Sequence, residues 1–259
     1  YYSQRLAYLP VGLFGVAMGV VALPALSRIW SEQRHREMEY AVDRAFRHVL
    51  FFTLPTVAVL ATLHTPLIRL LFEGGAFGAG STRETVYALL FFLPGIPAFC
   101  CVKVAVTPFY ARQDTKTPVK VAASCLVLNV VLNLILMQFL RQGGLALSTT
   151  VTSYVNVTAL LFILRRDIRC LRVRTILLPV LRLIAGAAAV FLSGWAVRRT
   201  LFSGSAEGFL ERIGLILVVM LAGGVSYLAV LVLLRSAEVR EIGGVLAEKF
   251  RPLKRRPGG

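Results

Sequence analysis

Seven long apolar runs dominate the sequence, and they constrain the fold more than any other feature. They cover residues 6–26, 49–63, 86–109, 119–140, 145–164, 176–197 and 213–234. Most of them approach the roughly twenty residues that an α-helix needs to cross the hydrocarbon core of a bilayer. No run alternates apolar and polar residues with the period of two that a strand would show. The sequence therefore predicts an all-α integral membrane protein, a polytopic bundle of seven transmembrane helices.

The formal net charge of +16 is distributed unevenly among the loops. Basic residues are dense in every second connection, at 27–48, 112–120, 165–174 and 235–256, and sparse in the connections between these. Cytoplasmic loops of membrane proteins carry such an excess of lysine and arginine, so we expect a cytoplasmic C-terminus. The tail 236–259 is predicted to be a basic cytoplasmic end that is attracted to membrane lipids. No soluble basic module is visible, so we expect no nucleic-acid partner.

Two connections and one turn carry further structural predictions. The stretch 64–84 begins as an amphipathic turn and breaks at two glycines, which favours an interfacial helix at the outer surface. The basic stretch 27–48 is a second amphipathic segment on the inner side. Thr117 followed by Pro118 reads as an N-cap residue and a first helical position after a tight turn.

The sequence shows no arrangement of residues that indicates an enzyme. The three histidines have no metal-ligand spacing, and no phosphate-binding glycine loop or nucleophile elbow is present. Asp114 is the only acid placed for catalysis at a membrane face, and a single aspartate in a turn is more often a local cap. We therefore expect no cofactor and assign no metal site. The four cysteines are interpreted as free thiols that serve as small apolar residues: Cys100, Cys101, Cys125 and Cys170.

Cationic side chains inside apolar segments are the informative ones, because each costs free energy in lipid. Lys103 lies in the third run, about two turns before the basic turn. It is either a lysine that reaches toward the inner interface or a cation that faces a cavity. Arg5 begins the first run at the outer end, where it could anchor the helix at the interface beside Tyr1 and Tyr8.

Amides and hydroxyls are concentrated in the fourth and fifth runs. Asn129 and Asn133 are spaced i, i+4 and so share one face of a helix. The fifth run opens with Ser148, Thr149 and further hydroxyl residues. Hydrogen bonding between helices would explain this pattern, and an oxygen-lined cation site is the alternative.

The first run contains several residues that disturb a regular helix, among them Pro10, Gly12 and Pro24. Pro94 and Pro97 do the same in the third run. Proline interrupts the helical hydrogen-bond ladder, and glycine permits close packing or bending. Bendable helices that carry polar residues are typical of alternating-access transporters.

Four motifs resemble the bacterial MurJ/MviN lipid II flippases of the MOP superfamily. They are YYSQRLAYLPVGLFGVAMGVVALPALSR, KVAVTPFYARQDTKTPVKVA, LLFEGGAF and GGLALSTT. The first fits the family's Y-x-x-R-L-x-x-x-P-x-G-x-x-G-x-A pattern in its eighth helix, and the second fits its tenth helix and the following loop. The resemblance implies the C-terminal half of a fourteen-helix, MATE-like fold, helices eight to fourteen, with the N-terminal half of the same protein as its missing partner.

The function implied by this resemblance is transport of lipid II, the undecaprenyl-diphosphate-linked peptidoglycan precursor. It would move from the inner to the outer leaflet of the bacterial cytoplasmic membrane by alternating access. By motif, Arg5 matches a cavity arginine that holds the diphosphate, and Lys103 is a weaker candidate. The sodium site of some members would fall on Asn129, Asn133 and Thr149. Sodium or the membrane potential is then the expected source of coupling.

The resemblance also implies a division of the chain. Residues 1–166 would form the C-terminal lobe of the transporter core, with five helices. Residues 167–235 would add two helices that lack buried charge and offer an apolar groove for the isoprenoid tail. The alternatives are an exporter of another polyprenyl-linked oligosaccharide or of drugs, and a non-transporting membrane scaffold that recruits cell-wall enzymes.

Overall fold

The computed structural model describes residues 1–74, 77–167, 173–201, 208–236 and 239. Within these ranges, seven stretches are long and apolar enough to cross a membrane: Tyr2–Ser31, His35–Phe72, Ala79–Ala111, Lys116–Leu140, Gln142–Arg166, Leu177–Thr200 and Phe209–Leu233. The predicted all-α bundle of seven spans is therefore confirmed. Cys170 and almost all of the basic tail lie outside the described residues.

Nine α-helices build these spans, together with one π-helical and one 3₁₀ segment, in the part of the chain that the structure describes. The helices are α1 Tyr2–Pro10, α2 Ala17–Ser31, α3 His35–Phe72, α4 Ala79–Phe92, α5 Ile96–Ala111, α6 Lys116–Leu140, α7 Gln142–Asp167, α8 Val173–Leu201 and α9 Phe209–Leu233. The π-helical segment Val11–Val16 joins α1 to α2, and the 3₁₀ segment Leu93–Gly95 joins α4 to α5. Both interruptions fall where the sequence places proline or glycine.

Helix α3 is longer than the sequence analysis predicted. It contains 38 residues and so measures about 57 Å, against a hydrocarbon core of about 30 Å. The prediction of an interfacial helix in 64–84 is wrong, because residues 64–72 continue α3. The stretch before residue 49 is amphipathic, as predicted, and from residue 35 it is part of α3. The inner flank continues the helix because its apolar residues recur at helical spacing and are buried on one face, namely Met38, Val42, Ala45 and Val49.

The turn before α6 differs slightly from its prediction. The helix begins at Lys116, so Thr117 lies inside the first turn and is not the N-cap. Asp114 supplies the cap, because its Oδ1 accepts a 3.0 Å hydrogen bond from the backbone N–H of Thr117. Asp114 is therefore a local cap, which was the simpler of its two interpretations.

Prolines in α3 free backbone carbonyl groups that neighbouring helices then bind. Pro55 has no N–H for the carbonyl of Phe51, four residues earlier, and the hydroxyl of Tyr227 donates to that oxygen at 2.6 Å. Pro66 likewise frees the carbonyl of Thr62, which accepts a 3.2 Å hydrogen bond from Nη1 of Arg198. Because a bare carbonyl is costly in a bilayer, these two bonds fasten α9 and α8 to α3.

The break between α4 and α5 follows the same rule. Its two prolines, Pro94 and Pro97, cannot donate to carbonyl groups three residues earlier, as the 3₁₀ pattern would require. The hydroxyl of Thr150 donates to the Phe91 carbonyl at 2.9 Å. The hydroxyl of Tyr154 donates to the Pro94 carbonyl at 2.7 Å. Helix α7 therefore supplies the donors that the third span lacks.

Small residues set the closest helix approaches. A Cβ atom at Gly15 would lie 3.0 Å from the Cα of Cys100, so the π-helical segment rests directly on the backbone of α5. Gly19 meets the Lys103 carbonyl in the same way at 3.3 Å. The first span thus runs parallel to α5 and packs closely along it.

The last two helices pack against each other and against α3, whereas α6 packs mainly against α7. Only Pro118 and Cys125 of α6 are buried. The division of the chain into a five-helix lobe and an added helix pair stays a prediction.

Contacts between loops agree with alternating orientation of the spans. At the arginine-rich end, the Arg112 guanidinium lies 5.5 Å from the ring centroid of Trp30. At the arginine-poor end, Arg212 and Glu73 form a salt bridge of 2.8 Å. These contacts place Trp30 and Arg112 together at one end of the bundle, and Glu73 and the start of α9 together at another.

Candidate functional site

Arg5 lies on a face of the first span that no described residue covers. Its guanidinium stands over the Tyr1 ring, 4.4 Å from the centroid, and donates a hydrogen bond to the Tyr1 hydroxyl. The uncovered face continues along the span at helical spacing through exposed residues, namely Leu9, Gly12, Leu13, Val16 and Val20. A Cβ atom added at Gly12 would meet nothing within 4 Å. An otherwise apolar face therefore presents one cation at its end.

Lys103 does not join Arg5 in one site. The carbonyl of Lys103 contacts Gly19, and its side chain is exposed. Gly19 lies 14 residues beyond Arg5 in the same span, which corresponds to about 21 Å along the helix axis. One phosphate group cannot reach both cations at that separation. Both residues stay predictions as substrate contacts, at two different depths.

Asn129 and Asn133 belong to a ring of hydrogen bonds between α6 and α7. The Nδ2 of Asn133 donates to Oδ1 of Asn129 at 3.0 Å, and the Nδ2 of Asn129 donates to Oγ1 of Thr152 at 3.0 Å. The Thr152 hydroxyl donates to the backbone carbonyl of Ser148, whose own hydroxyl donates to Oδ1 of Asn133. Each donor in the ring thus meets an acceptor, and both amide oxygens are engaged. The arrangement joins the two helices as interhelical hydrogen bonding was expected to do.

Thr149 stands outside this ring. Its hydroxyl donates to the carbonyl of Leu145 in its own helix at 2.9 Å. The ring contains Ser148 and Thr152 instead. From the sequence, these two residues were predicted only as members of the group of hydroxyl residues at the start of this run. A cation held by Asn129, Asn133 and Thr149 would have to replace hydrogen bonds of the ring, so the cation site stays a prediction. Among the described residues, no group of three or more His, Cys, Asp or Glu side chains could hold a metal.

A long apolar groove opens between the π-helical segment, α3 and α9. Its volume is about 490 Å³. Phe14 forms one wall and stacks on Phe52 of α3, with ring centroids 5.3 Å apart. The groove follows α3 from Phe51 to Leu67, a distance of roughly 24 Å. Met220 and Leu228 of α9 line the opposite wall. Such a surface accepts a long hydrocarbon chain and offers it few polar partners.

Two polar residues inside the spans were not predicted as candidates from the sequence. Arg182 lies inside the stretch Leu177–Thr200 and is half-buried, so the added helix pair carries a charged residue within a span. Asn156 follows Thr152 by one turn of α7, and its Oδ1 is buried without a hydrogen-bond partner among the described residues. Arg182 is the single charged residue of the run 176–197, and Asn156 is the single amide of the run 145–164. Treating every polar residue inside a span as a candidate would have found both.

The bundle, with an uncovered cation and an apolar groove on neighbouring helices, defines a multi-pass membrane protein that can contact an amphipathic molecule. A family model described as lipid II flippase MurJ matches residues 1–213. The chain therefore belongs to the MurJ family, whose members are multi-pass inner-membrane proteins.

Individual relatives agree with this assignment. The chain is 33% identical over 253 residues to a probable lipid II flippase MurJ of Rhizobium tropici, covering 96% of this chain and 47% of that protein. It is 37% identical over 160 residues to a probable lipid II flippase MurJ of Vibrio cholerae, covering 62% of this chain and 30% of the relative. The chain thus spans about half the length, or less, of the curated relatives that it matches.

A solved structure has the same fold. It is described as lipid II flippase MurJ in an inward closed conformation, and it superposes with a TM-score of 0.73 at 24% identity. The superposition covers 93% of this chain and 46% of the solved one. The predicted resemblance to this transporter fold is confirmed.

Proposed function

We propose that the protein to which this chain belongs is a lipid II flippase and not an enzyme. It would move the undecaprenyl-diphosphate-linked peptidoglycan precursor from the inner to the outer leaflet by alternating access. The observation that carries the proposal is that the first span presents Arg5 on an uncovered, otherwise apolar face and also contributes Phe14 to the wall of a long apolar groove. A substrate with an anionic diphosphate and a long hydrocarbon tail needs one surface of each kind.

Arg5 is suited to the diphosphate. A guanidinium offers a planar fork of N–H donors that matches two phosphate oxygens at once. Its present partner is the Tyr1 side chain, an exposed neutral group that a diphosphate can displace. Lys103 of α5 lies beside Gly19, which is about 21 Å from Arg5 along the axis of the first span. Lys103 would therefore contact the headgroup only at another stage of its passage.

The apolar groove is suited to the tail. It is roughly 24 Å long along α3, and its lining residues are almost entirely hydrocarbon and aromatic. Burial of apolar surface contributes about 25 cal/mol per Å², so a tail that lies in the groove would hold the substrate while the headgroup moves. Under this proposal, α8 and α9 serve the tail and the five preceding spans serve the headgroup.

Partners and energy coupling involve other surfaces of the bundle. The uncovered face of the first span would meet the N-terminal half of the protein, so that both halves enclose the headgroup. The arginine-rich ends of the spans would face the cytoplasm, and the C-terminus would then be cytoplasmic. No cofactor is required, and sodium bound near Asn129 and Asn133 or the membrane potential would supply the driving force.

The test uses the full-length protein in cells depleted of their own flippase. Labelled lipid II that becomes accessible on the outer face is measured for the wild type, for Arg5→Ala and for Arg199→Ala. Arg199 is the matched control, because it is an exposed arginine that lies over the ring of Trp195, 5.2 Å from the centroid and away from the groove. We expect restored accessibility with the wild type and the control, and its loss with Arg5→Ala at equal membrane abundance.

Two outcomes would overturn parts of this proposal. Full transport by Arg5→Ala would exclude Arg5 as the diphosphate contact. An abundant wild-type protein that restores no lipid II transport would point to another polyprenyl-linked oligosaccharide or a drug as substrate. If it also transports none of these but still recruits cell-wall enzymes, it would be a scaffold.

A further inference from the structure

We propose that a pocket at the arginine-poor end of the bundle binds the phosphate headgroup of an anionic phospholipid. The pocket lies between the start of α4 and the end of α6 and has a volume of about 570 Å³. Arg83 and Arg141 line it, together with Tyr87, Leu90 and Phe139. The site is separate from Arg5 and from the apolar groove, and it has no part in the proposed transport step.

The two guanidinium groups come from connections that are far apart in the sequence. Arg83 belongs to the first turns of α4, and Arg141 follows the last residue of α6. Both side chains are exposed, and neither guanidinium makes a hydrogen bond, an ion pair or a ring contact with a described residue. Two other arginines at this end are engaged, since Arg198 donates to the Thr62 carbonyl and Arg212 pairs with Glu73. Two unengaged cations at one pocket favour an anionic ligand.

The backbone around Arg141 is held in place. Arg141 has a φ of 48°, which is uncommon for a residue with a side chain. Its N–H donates to the Met137 carbonyl at 3.0 Å, and its carbonyl accepts from the N–H of Gly144 at 3.1 Å. Gly143, two residues after Arg141, lies so close to Tyr87 and Phe91 that an added Cβ atom would be 2.7 Å from each ring. The turn therefore presents Arg141 from a fixed position, which lowers the entropic cost of binding.

The walls of the pocket indicate what kind of anion fits. Tyr87 stands against Phe91 in an edge-to-face contact with centroids 5.1 Å apart, and Leu90 lies one turn further into the span. Phe139 on the facing helix has 77% of its surface exposed. The pocket thus has a cationic rim and an apolar floor at the end of two spans. An anionic phospholipid has this polarity, whereas a soluble acidic peptide would leave the floor uncovered.

Glu84 also lines the pocket and leaves it with a net charge of one positive unit, from two arginines and one glutamate. The carboxylate would repel a phosphate that approached it directly. The phosphate is therefore expected between Arg83 and Arg141, where each can donate two hydrogen bonds. A glycerol hydroxyl of the headgroup can donate to Glu84, which makes phosphatidylglycerol the suitable probe.

The experiment measures lipid retention by the full-length protein, so its outcome is independent of transport. The protein is placed in nanodiscs of equal parts phosphatidylcholine and phosphatidylglycerol and transferred to detergent, and native mass spectrometry counts the lipids that remain bound. We expect retained phosphatidylglycerol on the wild type and roughly tenfold weaker retention by the Arg83→Gln, Arg141→Gln double variant. The Arg83→Lys, Arg141→Lys variant should retain an intermediate amount, because it keeps the charge without the fork.

Arg199→Gln is the control, since it removes an exposed arginine at the same end of the bundle that already has an aromatic partner. It should retain phosphatidylglycerol like the wild type. Equal retention by the double variant and the control would overturn the proposal. Displacement of the bound lipid by soluble glycerol phosphate would also overturn it. So would a double variant that retains phosphatidylglycerol like the wild type but no longer binds a polyglutamate peptide.

Discussion

The hydroxyl of Tyr227 in α9 donates a 2.6 Å hydrogen bond to the backbone carbonyl of Phe51 in α3. That carbonyl is the one that Pro55 deprives of its helical donor. Tyr227 is buried, and its ring also packs on Phe51 with centroids 5.4 Å apart. The Tyr227 side chain therefore lines the groove on the α9 side and also donates the hydrogen bond that α3, on the other side of the groove, lacks at Pro55.

We expect Tyr227→Phe to destabilise the protein by about 1–3 kcal/mol, because the Phe51 carbonyl is left buried without a donor. The thermal unfolding midpoint of the purified protein in detergent measures this effect. Tyr110→Phe is the matched control, since Tyr110 is exposed and removal of its hydroxyl leaves no buried carbonyl without a donor. A similar midpoint for both variants would mean that water or another group can replace the Tyr227 hydroxyl.

Gly144→Ala should disturb the α6–α7 turn. A Cβ atom there would lie 2.4 Å from the carbonyl oxygen of Leu136 and 2.5 Å from its carbon, so the backbone has to move. We expect lower membrane abundance and a lower unfolding midpoint, measured by quantitative blotting and thermal unfolding. Gly224→Ala in α9 is the comparison, because its Cβ would meet nothing within 4 Å and alanine favours a helix by up to about 1 kcal/mol over glycine. Equal behaviour of the two variants would contradict the close approach at Gly144.

The ring between α6 and α7 predicts energetic coupling between Asn129 and Thr152. A double-mutant cycle with Asn129→Ala and Thr152→Val should give a coupling free energy of about 0.6 kcal/mol, and at most about 1.7, as for hydrogen bonds between membrane helices. The same cycle with Asn129→Ala and Ser193→Ala, which lies on α8, should be additive within about 0.5 kcal/mol.

Repeating the Asn129 and Thr152 cycle in sodium and in potassium tests the predicted cation site. A ring that serves only to join the helices gives the same coupling in both salts. A coupling that changes with sodium alone would support ion binding at Asn129 and Asn133.

Asp114 predicts a dependence of stability on pH. The Thr117 hydroxyl and backbone N–H donate to its carboxylate, and they lower the pKa of Asp114 below its ordinary value of 3.8. A lowered pKa in the folded state means that the carboxylate stabilises the fold above pH 3.8. This contribution is lost as the pH falls through the lowered pKa.

The unfolding midpoint of Asp114→Asn should therefore lie below that of the wild type at neutral pH, and the difference should vanish in acid. Thr117→Val removes one of the donors and should shrink the difference without abolishing it. If the unfolding midpoints of the wild type and Asp114→Asn still differ in strong acid, the carboxylate is not the form of Asp114 that stabilises the fold.

Much of the fold follows from hydropathy, because the bilayer forces every apolar run of about twenty residues into a helix. The seven spans were predicted for this reason, and the break at Pro94 was predicted from the effect of proline on the helical hydrogen bonds. The ends of α3 were not, since the inner flank near Met38 and the outer flank near Phe72 are too polar for a hydropathy window. Their helical spacing was visible, but it could not decide between a continued span and a separate surface helix.

The site was predictable only as far as it is local. The shared face of Asn129 and Asn133 follows from their spacing within one helix. The choice of Thr152 over Thr149 as their partner depends on how α6 and α7 turn toward each other, which the sequence of either helix leaves open. The Tyr227 contact joins residues 176 positions apart, and no local pattern indicates it.

The 38 residues of α3 form a rod about 57 Å long, which is nearly twice the roughly 30 Å thickness of a hydrocarbon core. Tyr227 and Arg198 donate hydrogen bonds to the carbonyl groups that the prolines of α3 leave free, and these bonds limit bending of the helix at the prolines. A tilt of about 10° around its midpoint would move each tip by about 5 Å, in opposite directions, over a length of about 57 Å. His35, in ring contact with Trp30 at one tip, and Phe72, in contact with Tyr2 at the other, would report such a tilt as equal and opposite displacements.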